Sequence, residues 1–252
     1  MRLDVYLVEN NFFSSRTKAQ FAIKNGDVDV NGAHCRPSYD VLTGDVVTVR
    51  NNLKYVGRGG YKLEKAIDMF KLDFSGKTVL DIGASTGGFT DCALINGAAK
   101  VYALDVGHGQ LDRKLVYDDR VVNLEGTDIR NYESDILFDI ATVDVSFISL
   151  ENVLPYIRKH IREDSAIICL VKPQFEIGRK RIKNGVVKSE KDLLSVLQKV
   201  IVLCEKNDYS VAGITKSPIL GGDANTEFLF YMKNGYLPII YDLKRIIKEK
   251  LN

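Results

Sequence analysis

Cysteine, histidine, net charge and long apolar runs are all in short supply, and each shortage removes a class of protein. The four cysteines (Cys35, Cys92, Cys169 and Cys204) show no C-x-x-C spacing, and three lie within apolar runs. That pattern excludes a disulfide scaffold and reads as reduced core thiols of a cytoplasmic protein. The three histidines (His34, His108 and His160) are scattered, so no metal site is expected. No apolar run approaches the roughly eighteen residues of a membrane span. No leader is recognisable either, so no membrane partner is expected. Lysine and arginine number 35 against 33 aspartates and glutamates. Any surface for a polyanion therefore has to be local.

What is present is a core. With 252 residues at 45% hydrophobic content, the chain can form one large or two modest domains. One stretch organises it: Val79-Leu80-Asp81-Ile82-Gly83-Ala84-Ser85-Thr86-Gly87-Gly88-Phe89-Thr90-Asp91. An apolar run ending in an acid reads as a buried strand, and a helical run follows from Phe89. The glycines between let the backbone turn tightly and approach a ligand. A second apolar run ends at Asp105, about twenty residues past Gly83, where a ribose-binding acid belongs. A nicotinamide dinucleotide wants G-x-G-x-x-G with its pyrophosphate on a helix N-terminus. Here the order is D-x-G-x-x-x-G-G, and Asp81 would repel a pyrophosphate but accept from an ammonium or a hydroxyl. S-adenosylmethionine carries both groups and no phosphate, and it fits better. The expected cofactor contacts are Asp81, Gly83, Ser85, Gly87, Gly88 and Phe89 in the turn, with Asp105 and, after the third strand, Asp128.

Residues 1–50 read as a separate small α+β module. Ser15 caps a helix through Ala19, Ala22 and Ile23 to Asn25-Gly26. Val28-Asp29-Val30 alternates as a strand, Asn31-Gly32 is a hairpin turn, and Val46 to Val49 is another strand. The residues Arg2-Leu3-Asp4, Ser15-Arg16-Thr17-Lys18-Ala19, Gly26-Asp27-Val28 and Val30-Asn31-Gly32 resemble the αL RNA-binding motif of a small-subunit ribosomal protein. That resemblance implies that the helix face carrying Arg16 and Lys18 meets phosphates. The module holds six basic and six acidic residues, so bulk charge cannot hold RNA there. Residues 51–60 are expected to be a linker, flexible at Gly57-Arg58-Gly59-Gly60.

From residue 61 to 252 the pattern alternates. Strands are expected near 77–82, 100–105, 120–125, 138–144, 165–172, 209–216 and 227–233, and helices near 61–74, 88–97, 111–117, 148–161, 189–206 and 241–251. Such alternation predicts an α/β, doubly wound, Rossmann-like sheet that is mostly parallel. The loop Ser217 to Thr226 is short enough to force the last strand antiparallel. Ligands bind beyond the carboxyl ends of parallel strands. Asp144 and Lys172 end two of them, Glu227 begins the antiparallel one, and Lys62 begins the helix before the first strand. Two lysines and two carboxylates therefore converge beside the glycine turn. Residues 172–191 carry seven lysines and arginines against two glutamates. Arg179, Lys180 and Arg181 at its centre, with Arg58, are candidate RNA-backbone contacts.

Six marks carry a broader resemblance: Arg58-Gly59-Gly60-Tyr61-Lys62-Leu63; the glycine turn; Asp105-Val106-Gly107-His108-Gly109-Gln110-Leu111; Asp144-Val145-Ser146-Phe147-Ile148-Ser149-Leu150; Val171-Lys172-Pro173-Gln174-Phe175-Glu176; and Asn225-Thr226-Glu227-Phe228. Over nearly its whole length the chain resembles the haemolysin-A (TlyA) type of ribosomal-RNA 2′-O-ribose methyltransferase, with an FtsJ-like catalytic domain. The resemblance implies methyl transfer from S-adenosylmethionine to a ribose 2′-hydroxyl, of a cytidine, in a ribosomal subunit. It puts the family's K-D-K-E tetrad on Lys62, Asp144, Lys172 and Glu227. Lys172 is then nearest the nucleophile, Asp144 and Glu227 tune it, and Lys62 steadies the ribose or the tetrad. Where the family often has tyrosine, in the turn after the second strand, this chain has His108. The family name also records haemolysis, so a membrane-acting protein is an alternative, and a non-catalytic RNA-binding protein is another. Target nucleotide and oligomeric state are left open.

Overall fold

Leu3 and Leu7, one helical turn apart, bury the inner face of a first helix, α1 (Leu3–Glu9). Seven residues are too few for a clear period, and no helix was expected there. In α2 (Arg16–Lys24), Ser15 Oγ accepts from the Lys18 amide at 3.3 Å, as a helix cap should. Its Ala19, Ala22 and Ile23 pack on Leu3, Leu7, Val28 and Val30. The hairpin follows: β1 (Val28–Val30) pairs antiparallel with β2 (Ala33–His34) and with β3 (Val47–Val49). Asn31 and Gly32 both take positive φ, 53° and 77°, which a two-residue hairpin turn requires. The structure is a computed structural model. It describes residues 1–252 apart from 14, 25, 50–53, 179–181, 183–184, 222–223, 236–239 and 250–252. These first elements belong to one compact unit, Met1–Arg58, and Gly59–Asn252 form a second.

The second unit begins with α3 (Gly59–Phe70). Gly59 and Gly60, expected at the flexible end of a linker, are instead its first turn. The helix also stops earlier than expected, where Lys71 swings to a φ of 54°. Then come β4 (Thr78–Ile82), α4 (Gly88–Ile95), β5 (Lys100–Asp105), α5 (Arg113–Val116), β6 (Val121–Glu125), β7 (Phe138–Val143), α6 (Leu154–Ile157), β8 (Ile161–Val171), α7 (Pro173–Glu176), α8 (Glu190–Lys206), β9 (Tyr209–Lys216), β10 (Phe228–Asn234) and α9 (Leu243–Lys248). The long helix expected over 148–161 is broken into 3-10 turns on either side of α6. Pro155 lacks the amide a continuous helix would need there.

The seven strands run in the order β6-β5-β4-β7-β8-β10-β9. The strands from β6 to β8 are mutually parallel, and β10 is antiparallel to both its neighbours. The fold is thus the α/β sheet expected, with β10 inserted between β8 and β9. Helix α8 shows why the faces are covered. Leu193, Val196, Leu197, Val200 and Cys204 recur at helical spacing and are buried against Ile167, Cys169, Phe228 and Phe230. With both sheet faces sealed, polar chemistry is left to the rim where β4, β5, β7 and β8 end.

Candidate active site

The rim is shaped by two glycines. Gly83, just past β4, has a φ of 84°, and a Cβ there would lie 2.6 Å from the Asp144 carbonyl oxygen. The loop leaving β7 therefore passes directly over the turn, and the Asp144 amide donates to Ile82 O at 2.9 Å. Gly88 opens α4, and a Cβ there would lie 3.0 Å from Gly59 Cα and Gly60 N. The first turns of α3 and α4 thus cross backbone to backbone, which brings Lys62 to the rim.

Between the ends of β4, β5 and β7 lies a cavity of about 520 Å³, lined among others by Gly83, Ser85, Asp105, Asp128 and Asp144. Leu104, Val106, Ile129 and Val145 form its apolar walls. Asp105 accepts from the Ser85 and Gly107 amides, both at 2.8 Å, and so clamps the glycine turn to the loop after β5. Asp128 is held by a bidentate Arg130, with contacts of 2.6 to 3.0 Å, which keeps its carboxyl below the usual range. Glu125 was not anticipated. Burial pushes its carboxyl up, but hydrogen bonds from Leu111, Asn123 and Gln110 outweigh that and hold it at about 2. It fixes the loop that carries Gln110 into the cavity wall.

Four of the expected cofactor contacts also have close partners within the protein. Asp81 is 1% exposed, its Oδ1 accepting from Thr142 Oγ1 at 2.7 Å and its Oδ2 from Thr90 Oγ1 at 2.6 Å. Asp81 thus ties β4, β7 and α4 together in the core. Burial pushes its carboxyl up to about 6, against the lowering effect of the two threonines. The Leu111 and Leu115 side chains crowd Gly87, Gly88 packs on α3, and the Phe89 ring, 3% exposed, rests against Gly59.

The four rim residues form two ion pairs. Lys172 Nζ lies 2.6 Å from Asp144 Oδ1 and donates to Ser146 Oγ at 2.7 Å. Lys62 Nζ lies 2.5 Å from Glu227 Oε2, and both side chains are buried. Phe228 pairs with Val171 in the ladder, and the next step of that register sets Glu227 across from Lys172. Phe147, which sequence reasoning passed over as part of a motif, stands 92% exposed on the cavity lip. Its φ is 64°, and its ring centroid lies 5.2 Å from that of Phe175. Left-handed backbone at a bulky, exposed residue is strained, and periodicity cannot reveal it.

Of the expected RNA contacts, Arg16 is exposed on α2 with its Nη2 2.9 Å from Asp4. Lys18 is half-buried on the same helix. The Arg58 guanidinium lies 5.3 Å from the Phe21 ring centroid. Arg179, Lys180 and Arg181 lie outside the described residues. Among the described residues there is no cluster fit to hold a metal ion, and no helix long and apolar enough to cross a membrane.

Residues 55–234 match the FtsJ-like methyltransferase family. The chain belongs to the FtsJ-like methyltransferases. Residues 1–47 match the S4 domain, so this family member carries an S4 unit ahead of its methyltransferase unit. Three relatives are similar over most of the chain. YqxC of Bacillus subtilis (strain 168) is 45% identical over 239 residues, covering 92% of this chain and 85% of its own length. Hemolysin A of Brachyspira hyodysenteriae is 41% identical, covering 91% and 98%. The 23S rRNA (cytidine-2′-O)-methyltransferase TlyA of Campylobacter jejuni subsp. jejuni serotype O:23/36 (strain 81-176) is 36% identical, covering 93% and 100%.

Proposed function

We propose that this FtsJ-like methyltransferase moves a methyl group from S-adenosylmethionine to the ribose 2′-hydroxyl of a cytidine in ribosomal RNA, working on ribosomal subunits in the cytoplasm. The observation that carries the reading is the Lys172–Asp144 pair at the lip of the acidic cavity, with Lys62–Glu227 on the same rim.

The cavity suits the cofactor. Of its three aspartates, Asp128 and Asp144 are paired with Arg130 and Lys172, and Asp105, bonded to backbone amides, supplies the negative charge that favours a cationic ligand and disfavours a pyrophosphate. The N-terminus of α4, where a pyrophosphate would sit, is packed against α3. Asp105 keeps lone pairs for ribose hydroxyls after accepting its two amides, and Asp128, on the same cavity wall, is the proposed adenine contact. Gly83 and Ser85 provide backbone at the methionine end. The bound cofactor supplies an electrophilic methyl on a sulfonium.

The chain's own residues do the rest. A ribose hydroxyl is a weak nucleophile, and most of the rate comes from holding it in line with the methyl and stabilising the charge that develops on oxygen. Lys172 Nζ, oriented by Asp144 and Ser146, faces that oxygen. The buried Lys62–Glu227 pair stiffens the rim behind it. Phe147 offers a face on which the target base can stack. The S4 unit reads the RNA by a few placed contacts.

The test is transfer of labelled methyl from S-adenosylmethionine to isolated ribosomal subunits, with the modified nucleotide mapped by reverse-transcription stops at low nucleotide concentration. The expected result is a stop at one cytidine. Label on a base nitrogen or carbon, or micromolar cofactor binding with no label on either subunit, would sink the reading.

A further inference from the structure

The first unit contains a polar cluster that methyl transfer does not use. Asp4, in the first turn of α1, is 0% exposed. Its carboxylate accepts from Arg2 side-on, Nε to Oδ1 at 3.0 Å and Nη2 to Oδ2 at 3.1 Å. It also accepts from Arg16 Nη2 at 2.9 Å and Gln20 Nε2 at 2.6 Å. Arg16 and Gln20 lie one turn apart on one face of α2, so Asp4 ties the two helices together. Arg2, two residues away on the same segment, adds nothing to that tie. Yet both arginine side chains keep about half their surface in solvent, 47% for Arg2 and 55% for Arg16. A buried acid holds two exposed guanidiniums in fixed orientation.

We propose that Asp4 is a positioning residue, turning Arg2 and Arg16 into one fork for neighbouring phosphates of a structured RNA. The inference rests on the RNA reading given above. Each guanidinium has N–H groups beyond those that Asp4 uses, and a planar guanidinium bonds phosphate oxygens two at a time. Arg2 hydrogen bonds hold the Asp4 carboxyl far below the usual range, with Gln20 and Arg16 adding to them. The acid therefore stays charged at every pH at which RNA is handled. Residues 1–50 carry equal numbers of acidic and basic side chains, so this unit gains RNA affinity by placing its cations, not by their number. Fixing two arginines in advance also removes rotamer entropy that binding would otherwise cost.

The proposal makes a prediction opposite in sign to bulk electrostatics. Asp4→Asn removes a negative charge, and simple attraction would make the variant bind RNA more tightly, with a steeper salt dependence. If Asp4 orients the fork, the full-length variant binds isolated ribosomal subunits about tenfold more weakly. Its slope of log affinity against log salt is shallower by about one. Cofactor affinity, measured by titration calorimetry, is unchanged. Thermal melting checks that the fold survives. Arg2→Lys provides the second arm, because it keeps the charge and loses the planar fork, while Asp4 still accepts from Arg16 and Gln20. It is expected to weaken subunit binding by several fold. Unchanged or tighter binding by a folded Asp4→Asn chain, or wild-type binding by Arg2→Lys, overturns the proposal. Methyl transfer plays no part in the readout, so a failure of the reaction reading and a failure of this one are told apart.

Discussion

Replacing Asp81 with asparagine separates two views of the acid at the head of the glycine turn. Read from sequence, Asp81 contacts the cofactor. In the structure it is a core group, 1% exposed, with both oxygens accepting from threonine hydroxyls. Burial pushes its carboxyl from 3.8 to about 6. A carboxyl raised in the folded state binds its proton more tightly folded than unfolded, so its contribution to stability is full below about pH 4. That contribution is lost as pH rises through about 6. A shift of about two units corresponds to roughly 3 kcal/mol. Asparagine keeps one acceptor, offers its amide to the second threonine, which can accept, and carries no titrating proton. The stability difference, variant minus wild type, should therefore grow by about 2.5 kcal/mol between pH 4 and pH 7.5. Urea unfolding of both chains across that range measures it. Calorimetry should find cofactor affinity within a few fold of wild type. A pH-independent difference would show that the Asp81 proton is not linked to folding. A tenfold or greater loss of cofactor affinity would restore the sequence view.

Lys172→Ala should lower methyl transfer by at least about a hundredfold while leaving cofactor binding within a few fold, and near-normal turnover would remove Lys172 from the nucleophile. Glu227→Ala should destabilise the larger unit by about 3–5 kcal/mol, because it leaves Lys62 buried and unpaired. The apolar double variant Lys62→Met, Glu227→Leu should recover much of that stability yet no activity, and chemical denaturation with a transfer assay reads both. Asp105→Ala should weaken S-adenosylmethionine by about tenfold or more, from loss of a charged hydrogen-bond partner worth about 1.5–3 kcal/mol, with subunit binding unchanged. Equal cofactor titrations of variant and wild type would show that the ribose lies elsewhere.

The sheet was legible because its strands carry apolar runs bounded by chemistry-bearing side chains, such as Asp105 and Lys172. What could not be read was pairing across distance. The short loop Ser217 to Thr226 shows that β9 and β10 are antiparallel neighbours, but not which of them is the edge strand. Asp81 looked ligand-facing because its two threonines are nine and 61 residues away. The meeting of Lys62, Asp144, Lys172 and Glu227 on one rim was legible from topology. Their division into Lys62–Glu227 and Lys172–Asp144 was not, since the first pair spans 165 residues of sequence. Gly88 is a related case: a Cβ there would meet the backbone of Gly59, a contact that sequence spacing cannot show.

The inserted antiparallel strand is what completes the rim. Parallel strands present only their carboxyl ends to a ligand, so every side chain they offer there is followed by a loop leaving the sheet. β10 arrives in the opposite direction and offers its beginning, with Glu227 held by its own carbonyl, which accepts from the Ser217 amide at 2.9 Å. Two residues earlier, the buried Asn225 side chain accepts from the Val187 amide at 3.0 Å and donates to the Gly185 carbonyl at 2.8 Å. The segment after Lys172 is therefore tied at its far end to the strand that carries Glu227, while Lys172 itself is one ladder step from it. Lys172 is itself held by Asp144 and Ser146, and a lysine held in this way has few orientations to lose on meeting its substrate.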